Sequence, residues 1–132
     1  MEENRIDLLK KVPLFADVER RDLKDIANTM KERRFSAGQV IATEGQSGVG
    51  FFVIEEGEAS VEVDGKEVAR LGPGDYFGEI ALIAEAARTA TVTAESDISA
   101  LGLTSWEFRP LVETNASIAW KLLEALAKRL AS

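Results

Sequence analysis

Short apolar segments punctuated by glycine fill the middle of this chain, from Phe35 to Leu103. Apolar and polar residues alternate within several of them, which is the pattern of β-strands that bury one face. The Asp64-Gly65 pair separates two alternating segments and is typical of a two-residue hairpin turn. Short strands joined by tight turns predict a β-roll or barrel. The predicted strands span residues 39–44, 51–55, 58–63, 89–94 and 98–103, with a further strand that contains Val68 and Leu71.

The residues before this β-rich region have a helical pattern and carry nine basic and eight acidic side chains between positions 1 and 36. A first helix is predicted to end at Pro13, because a proline ring is incompatible with a helix interior. Apolar residues at helical spacing predict a second helix from about Val18 to Lys31. Arg33 and Arg34 follow it, and we interpret them as surface residues rather than as a basic patch.

A helical pattern returns after Thr104, with Ser105 as a candidate N-cap. After Asn115 the apolar side chains of a last helix recur at helical spacing and form a broad stripe. Such a stripe must be covered by the roll, by the identical helix of a partner, or by both. The stripe consists of Ala119, Leu123, Leu126 and Leu130, widened by Ile118 and Leu122.

Composition limits the chemistry that the chain can perform. Its 132 residues, 45% hydrophobic and 30% charged, are typical of one globular domain. The chain contains no cysteine, so a disulfide framework and a thiolate metal site are excluded. It contains no histidine, so imidazole catalysis and histidine-based metal sites are excluded as well. We therefore expect neither enzyme activity nor a bound metal.

Charge and hydropathy limit the partners. The net charge of −7 repels nucleic acid, because duplex binding needs clustered lysine and arginine side chains. No apolar run reaches the length of a membrane-spanning helix, and no segment has the pattern of a signal peptide. We expect a cytoplasmic protein that binds neither nucleic acid nor membranes.

The segment from Phe77 to Val92, with the sequence FGEIALIAEAARTATV, combines a glycine, a carboxylate and one arginine around a short apolar turn. Arg88 is the one basic residue among six acidic residues between positions 71 and 108, so a bound anion would depend on its guanidinium. Gly78 allows close approach of the main chain, and the turn after it can direct N–H groups at an anion. Glu79 is suited to accept hydrogen bonds from sugar hydroxyls. A ligand that has both a phosphate and a sugar is a nucleotide.

The motif FGEIAL, followed after a short loop by RTATV, resembles the phosphate-binding cassette of the cyclic nucleotide-binding domain family. That family includes the sensor domains of catabolite activator protein and of kinase regulatory subunits. The resemblance extends from about Leu8 to Leu130 and includes the VPLF motif that ends at Phe15 and the paired glycines Gly72 and Gly74. It implies a mainly β, α+β fold: an antiparallel, jelly-roll-like β-roll with helices on either side. The implied single domain has N-terminal helices in about 1–34, the roll in 35–103 with its cassette in 77–92, and C-terminal lid helices in 104–132.

The resemblance also implies roles for individual residues. Glu79 would bind the ribose 2′-hydroxyl, and Arg88 would pair with the cyclic phosphate. Gly78, Ala81 and Ala90 would offer main-chain contacts, and Thr89 would face the base. The implied ligand-binding residues are Phe77, Gly78, Glu79, Ile80, Ala81, Leu82, Arg88, Thr89, Ala90 and Val92.

Trp120 lies on the predicted last helix, which corresponds to the lid helix of the family. An aromatic side chain there can cover the base of the nucleotide, so Trp120 is a candidate base cap. The alternative is an aromatic residue that packs on the roll.

The cassette departs from the family pattern just before its arginine. Many family members have glycine and proline there, whereas this chain has Glu85, Ala86 and Ala87. This substitution predicts a more helical loop. It also predicts a negative charge near the phosphate, which would weaken binding.

These features predict a regulatory sensor domain that binds a 3′,5′-cyclic nucleotide, with cAMP slightly favoured over cGMP. Occupancy would be relayed through the C-terminal helix, which would contact an effector or form a homodimer. No cofactor other than this ligand is expected, and the sequence leaves open whether the chain is a piece of a larger protein. The alternative is a scaffold or dimerisation domain of the same fold in which Glu79 and Arg88 pair only with each other.

Overall fold

The computed structural model describes residues 2–48, 50–84 and 86–131. The chain divides into two compact units, a helical unit made of residues 1–30 and 106–132 and a sheet unit made of residues 31–105. The described helices are α1 (Glu2–Lys10), α2 (Arg20–Thr29), α3 (Ser105–Thr114) and α4 (Ala116–Ala131), with 3₁₀ turns at Pro13–Phe15 and Glu79–Leu82. None of them is long and apolar enough to cross a membrane.

The sheet unit contains two four-stranded antiparallel sheets, with strand orders β1-β10-β4-β7 and β2-β9-β5-β6. A short ladder between β3 and β8 accompanies them. The predicted fold class, an antiparallel β-roll with helices before and after it, is thereby confirmed. The strands are β1 (Lys31–Phe35), β2 (Val40–Ala42), β3 (Ser47–Gly48), β4 (Gly50–Glu56), β5 (Ala59–Val63), β6 (Lys66–Leu71), β7 (Tyr76–Phe77), β8 (Ala86–Ala87), β9 (Thr91–Ala94) and β10 (Ile98–Thr104).

Side chains from both sheets form one apolar core. Strand β9 shows the pattern that builds it, because Val92 and Ala94 are buried while Thr91 and Thr93, which alternate with them, are partly exposed. Burial of alternate residues follows from the pleat of a strand. The buried members of the core are Ala42, Ile54, Ala59, Val92, Ala94, Ile98 and Ala100.

The predicted hairpin turn is present between β5 and β6. Asp64 and Gly65 have φ values of 53° and 78°, both in the left-handed region. Two such residues in a two-residue loop give a turn whose twist matches that of the flanking strands. The Asp64 N–H also donates to Glu44 Oε1 at 3.0 Å, so the hairpin tip is tied to the segment that follows β2.

The predicted end of the N-terminal helices is wrong by several residues. Helix α2 ends at Thr29, and the residues from Lys31 to Phe35 form strand β1, which pairs with β10 at the edge of its sheet. The strand has the sequence KERRF and four exposed residues, so it lacks the apolar alternation that identifies a strand. Charged side chains on an exposed edge strand are a common protection against pairing with another chain.

The helical unit holds α4 against the N-terminal part of the chain. Ile118 and Leu122 are buried, and α4 packs on the 3₁₀ turn Pro13–Phe15. Phe15 meets Phe108 of α3 edge-on, with ring centroids 5.8 Å apart. Such aromatic pairs add stability beyond the area that they bury.

Hydrogen bonds fix both ends of α4. At its start, Asn115 Oδ1 accepts from the N–H groups of Ser117 and Ile118 at 3.0 and 3.4 Å, which is an N-cap. The Asn115 Nδ2 group also donates to Oδ1 of the buried Asp22 at 2.8 Å. Near the end of α4, Lys128 Nζ donates to Asp17 Oδ2 at 2.8 Å.

The predicted apolar stripe on α4 has the wrong phase. Leu123 and Leu130 are exposed, at 57% and 88%, whereas Ile118 and Leu122 are the buried residues. Ala119 and Leu126 lie between these two faces and are partly buried. The helix is apolar over so much of its circumference that periodicity alone does not identify the buried line.

Candidate functional site

A cavity of about 470 Å³ opens in the sheet unit beside the 3₁₀ turn Glu79–Leu82. Nine of the ten residues predicted to bind a ligand line it. The tenth, Leu82, is buried and is not part of the lining. The nine are Phe77, Gly78, Glu79, Ile80, Ala81, Arg88, Thr89, Ala90 and Val92.

Gly78 is required at the start of the 3₁₀ turn. Its φ of 86° lies in the left-handed region, which favours glycine. A Cβ atom at this position would overlap the carbonyl oxygen of Gly50 and the Nη1 atom of Arg88. The glycine therefore lets the guanidinium of Arg88 lie against the main chain at the mouth of the turn.

Arg88 is held by three hydrogen bonds to a segment about 40 residues earlier in the chain. Its N–H donates to Gln46 O at 2.7 Å, and its carbonyl oxygen accepts from the Gly45 N–H at 2.8 Å. Its Nη2 atom donates to Gly50 O at 2.7 Å. Both the backbone and the charged group are thus positioned before any ligand binds, which lowers the entropic cost of binding.

Burial and a neighbouring carboxylate shift the pKa of Arg88 in opposite directions. Its partial burial lowers the pKa of the guanidinium below its ordinary value, and the Glu79 carboxylate raises the pKa to a smaller extent. The group stays cationic at neutral pH, because the ordinary arginine pKa lies far above 7. A partly desolvated cation on a cavity wall favours an anionic occupant.

Backbone hydrogen bonds within the 3₁₀ turn Glu79–Leu82 use N–H groups that could otherwise contact a ligand. The Ala81 N–H donates to Gly78 O at 3.1 Å, and the Ile83 and Ala84 N–H groups both donate to Ile80 O at 3.0 Å. A main-chain contact from Ala81 to a ligand must therefore share or replace its bond to Gly78. Glu79 is the first residue of this turn, and its partly exposed side chain lines the cavity.

The part of the cavity wall that β5 and β6 supply is apolar and was not predicted from the sequence. Val61 of β5 and Ala69 of β6 are cross-strand partners, and Leu71 lies two residues beyond Ala69 on the same face of β6. The alternation of side chains along β5 and β6 could have indicated that these residues share one face of the sheet. It does not indicate that this face lines a cavity. The lining residues that sequence reasoning missed are Ala42, Val61, Ala69, Leu71, Tyr76 and Ala87.

The loop before Arg88 is extended where a more helical conformation was predicted. Ala86 and Ala87 form strand β8 and pair with Gly48 and Ser47 of β3. The hydrogen bond from the Arg88 N–H to Gln46 O continues this ladder, so pairing with β3 outweighs the helix propensity of alanine. Glu85, the predicted negative charge near the phosphate, lies outside the described residues.

Trp120 lies on α4 in the helical unit, and 64% of its side chain is exposed. Its role as a base cap stays a prediction. Among the residues that the structure describes, no group of three acidic, histidine or cysteine side chains could hold a metal ion.

Comparisons with known proteins agree with this geometry. Residues 32–115 match the family model described as the cyclic nucleotide-binding domain. The chain is 36% identical over 106 residues to a cAMP-dependent protein kinase regulatory subunit of Yarrowia lipolytica, an alignment that covers 79% of this chain and 28% of the relative. The chain therefore spans about a quarter of the length of that curated relative.

Two solved structures are similar over most of this chain. The N-terminal domain of a transcriptional regulator from Streptomyces coelicolor superposes with a TM-score of 0.86 at 31% identity, covering 95% of this chain and 93% of that one. The regulatory domain of Toxoplasma gondii PKA, crystallised with cAMP, gives a TM-score of 0.74 at 32% identity, covering 83% of this chain and 44% of that one.

Proposed function

The chain belongs to the cyclic nucleotide-binding domain family, and we propose that its cassette cavity binds a 3′,5′-cyclic nucleotide. The observation that carries this proposal is the position of Arg88, a partly buried cation held beside Gly78 on the wall of a cavity. A cyclic phosphate carries one negative charge and accepts hydrogen bonds from a guanidinium. Charge-assisted bonds of this kind are about twice as strong as neutral ones.

The remaining lining residues divide by chemistry into two groups. Glu79 accepts a hydrogen bond from the ribose 2′-hydroxyl, because a carboxylate is an acceptor and is repelled by the phosphate. The apolar wall formed by Val61, Ala69 and Leu71 covers the flat faces of the sugar and base. Thr89 is exposed, so its hydroxyl can reach a polar edge of the base.

We favour cAMP over cGMP. The relative from Yarrowia lipolytica is a cAMP-dependent kinase subunit, and the Toxoplasma gondii structure contains cAMP. The Thr89 hydroxyl supports the other choice, since it can accept a hydrogen bond from the 2-amino group of guanine.

Calorimetric titration of the chain with cAMP and with cGMP tests both statements. We expect a saturable heat for both ligands and tighter binding of cAMP. Absence of heat and of thermal stabilisation with either nucleotide would support a scaffold of the same fold that binds no ligand. Tighter binding of cGMP would contradict the base preference and leave the binding site intact.

We further propose that residues 1–132 act as one domain that relays occupancy through α4 to a second copy or to an effector. An exposed apolar seam on α4 supports this proposal. Its residues recur at alternating intervals of four and three, the spacing of a two-stranded coiled coil. The seam consists of Ala116, Trp120, Leu123, Ala127 and Leu130, all exposed.

Helix α4 has 16 residues, or little more than two heptads, so we expect a weak dimer whose population depends on concentration. Sedimentation of wild type and of Leu123→Glu, with and without cAMP, tests the seam. Arg129→Gln is the matched control on a different face of the same helix. We expect Leu123→Glu alone to abolish the dimer. If the wild-type chain is a monomer at all concentrations, a second copy is excluded as the partner of the seam and an effector remains.

We also propose that the domain has no catalytic activity of its own. The absence of cysteine and histidine from the sequence supports this, as does the resemblance to kinase regulatory subunits. A cytoplasmic location and the lack of nucleic-acid binding stay predictions from the net charge of −7 and the hydropathy pattern.

A further inference from the structure

A second cavity, of about 560 Å³, lies in the sheet unit and shares a wall with the first. It is lined by residues from β1, β2, β4 and the end of β10, and we call it the β1–β4 cavity. Ala42 and Arg88 line both cavities. The hydrogen bond from Arg88 Nη2 to Gly50 O lies at this shared wall, because Gly50 also lines the β1–β4 cavity.

The charge of the β1–β4 cavity is opposite to that of the chain. Its described lining residues include Arg33 and Arg88 and no carboxylate, although the chain carries 23 acidic and 16 basic side chains. Among the described residues, the Arg33 side chain makes neither an ion pair nor a hydrogen bond. By contrast, the adjacent Arg34 pairs with Glu32, its Nη2 atom lying 2.8 Å from Oε1. Arg33 is therefore an exposed cation without a bonded partner among the described side chains.

The body of the β1–β4 cavity is aromatic and aliphatic. Two glycines leave room for the ring of Phe52, since a Cβ on Gly50 would lie 3.0 Å from the ring and a Cβ on Gly102 would lie 3.2 Å from it. Phe35 contacts the same ring edge-on, with centroids 5.7 Å apart. Val40 adds an aliphatic side chain that is 51% exposed. Large apolar groups beside cationic side chains are suited to an amphipathic anion.

We propose that the β1–β4 cavity binds a small organic anion with an aromatic or aliphatic body and one carboxylate, sulfonate or phosphate group. The anionic group contacts Arg33 and the near edge of Arg88, and the body packs on Phe52. This site is distinct from the proposed nucleotide site, but the two compete for the charge of Arg88. Binding at one site therefore weakens binding at the other, by the same factor in both directions.

Two naphthalene dyes that differ in charge test the site. The anionic probe is 8-anilinonaphthalene-1-sulfonate, and the uncharged probe is N-phenyl-1-naphthylamine. Fluorescence titrations of the whole chain are expected to show tighter binding of the anionic dye. We expect Arg33→Gln to weaken the anionic dye by about two- to fivefold, as for one exposed charge contact, and to leave the uncharged dye unchanged.

Arg34→Gln is the matched control, because it removes a neighbouring arginine that is already paired. Equal effects of Arg33→Gln and Arg34→Gln, or no effect of Arg33→Gln, would overturn the proposal. A dye signal that Leu123→Glu removes and Arg33→Gln leaves would assign the dye to the α4 seam and would overturn it as well.

A titration with cAMP at a saturating dye concentration tests the coupling. We expect the apparent dissociation constant of cAMP to rise with the dye in wild type and to rise much less in Arg33→Gln. Because the dye titrations contain no nucleotide, a failure of cAMP to bind would refute the nucleotide site and leave the dye result standing. An unchanged cAMP affinity with the dye bound would refute the shared role of Arg88.

Discussion

Alanine at Gly78 should cost more stability than alanine at another glycine with the same backbone conformation. Gly78 and Gly38 have φ values of 86° and 89°, so both substitutions force alanine into the left-handed region. That conformation costs a non-glycine residue about 1–2 kcal/mol. A Cβ on Gly38 would meet no atom within 4 Å, so Gly38→Ala should cost this strain alone.

Gly78→Ala adds a steric effect to the same strain. Its Cβ would overlap Arg88 Nη1 and Gly50 O, so the guanidinium must leave its bond to Gly50. A hydrogen bond to a charged group contributes about 1.5–3 kcal/mol. We therefore expect Gly78→Ala to lower the free energy of unfolding by about 2.5–5 kcal/mol.

Urea unfolding of the two variants measures the difference, provided that the slope with denaturant stays constant. Calorimetry with cAMP provides the second readout. We expect Gly38→Ala to retain the wild-type affinity and Gly78→Ala to lose most of it, because Arg88 is displaced. Equal losses of stability together with equal affinities would refute the proposed contact between Gly78 and Arg88.

Three further predictions concern single side chains. Glu79→Gln should weaken cAMP but not 2′-deoxy-cAMP in calorimetry; equal weakening of both would remove the ribose role. Asn115→Ala should lower the free energy of unfolding in urea by about 2–4 kcal/mol, because it removes the N-cap of α4 and leaves the buried Asp22 carboxylate without its donor. Thr114→Ala is the control: it removes an exposed hydrogen bond and should change the free energy of unfolding by less than about 0.5 kcal/mol. The hydrogen bond and the charge of Lys128 lower the pKa of Asp17 below 3.8, so this contact stabilises the fold above about pH 4 and is lost as the pH falls through the lowered value. In an NMR titration the Asp17 carboxyl should therefore shift to higher pH in Lys128→Gln, and an unchanged titration would contradict the contact.

The cassette and most of the roll could be predicted because their signals are local. A glycine, a carboxylate and an arginine within eleven residues indicated the cassette, and alternation indicated the strands on either side of it. The match of the family model to residues 32–115 confirms the resemblance that the cassette indicated. The Asp64-Gly65 turn was predicted for the same reason, since its conformation is decided by two residues.

The features that escaped prediction depend on residues distant in sequence. Strand β1 has no apolar alternation and exists because β10 pairs with it. The bonds that hold Arg88 come from Gly45, Gln46 and Gly50, and nothing in the sequence of that segment indicates a partner about 40 residues later. The buried face of α4 was also missed. Leucine and alanine occupy most of the circumference of this helix, so tertiary contacts decide which face is buried.

The most direct test of the nucleotide site is calorimetry of Arg88→Ala with cAMP, beside wild type and Arg34→Ala. Because Arg88 also bonds to Gly50, the titration is done under conditions where circular dichroism shows all three proteins to be folded. We expect the affinity to fall about ten- to a hundredfold in Arg88→Ala, as for the loss of a charged hydrogen bond of about 1.5–3 kcal/mol, and to stay unchanged in Arg34→Ala. Wild-type affinity in a folded Arg88→Ala protein would contradict the assignment of the cassette cavity as the nucleotide site.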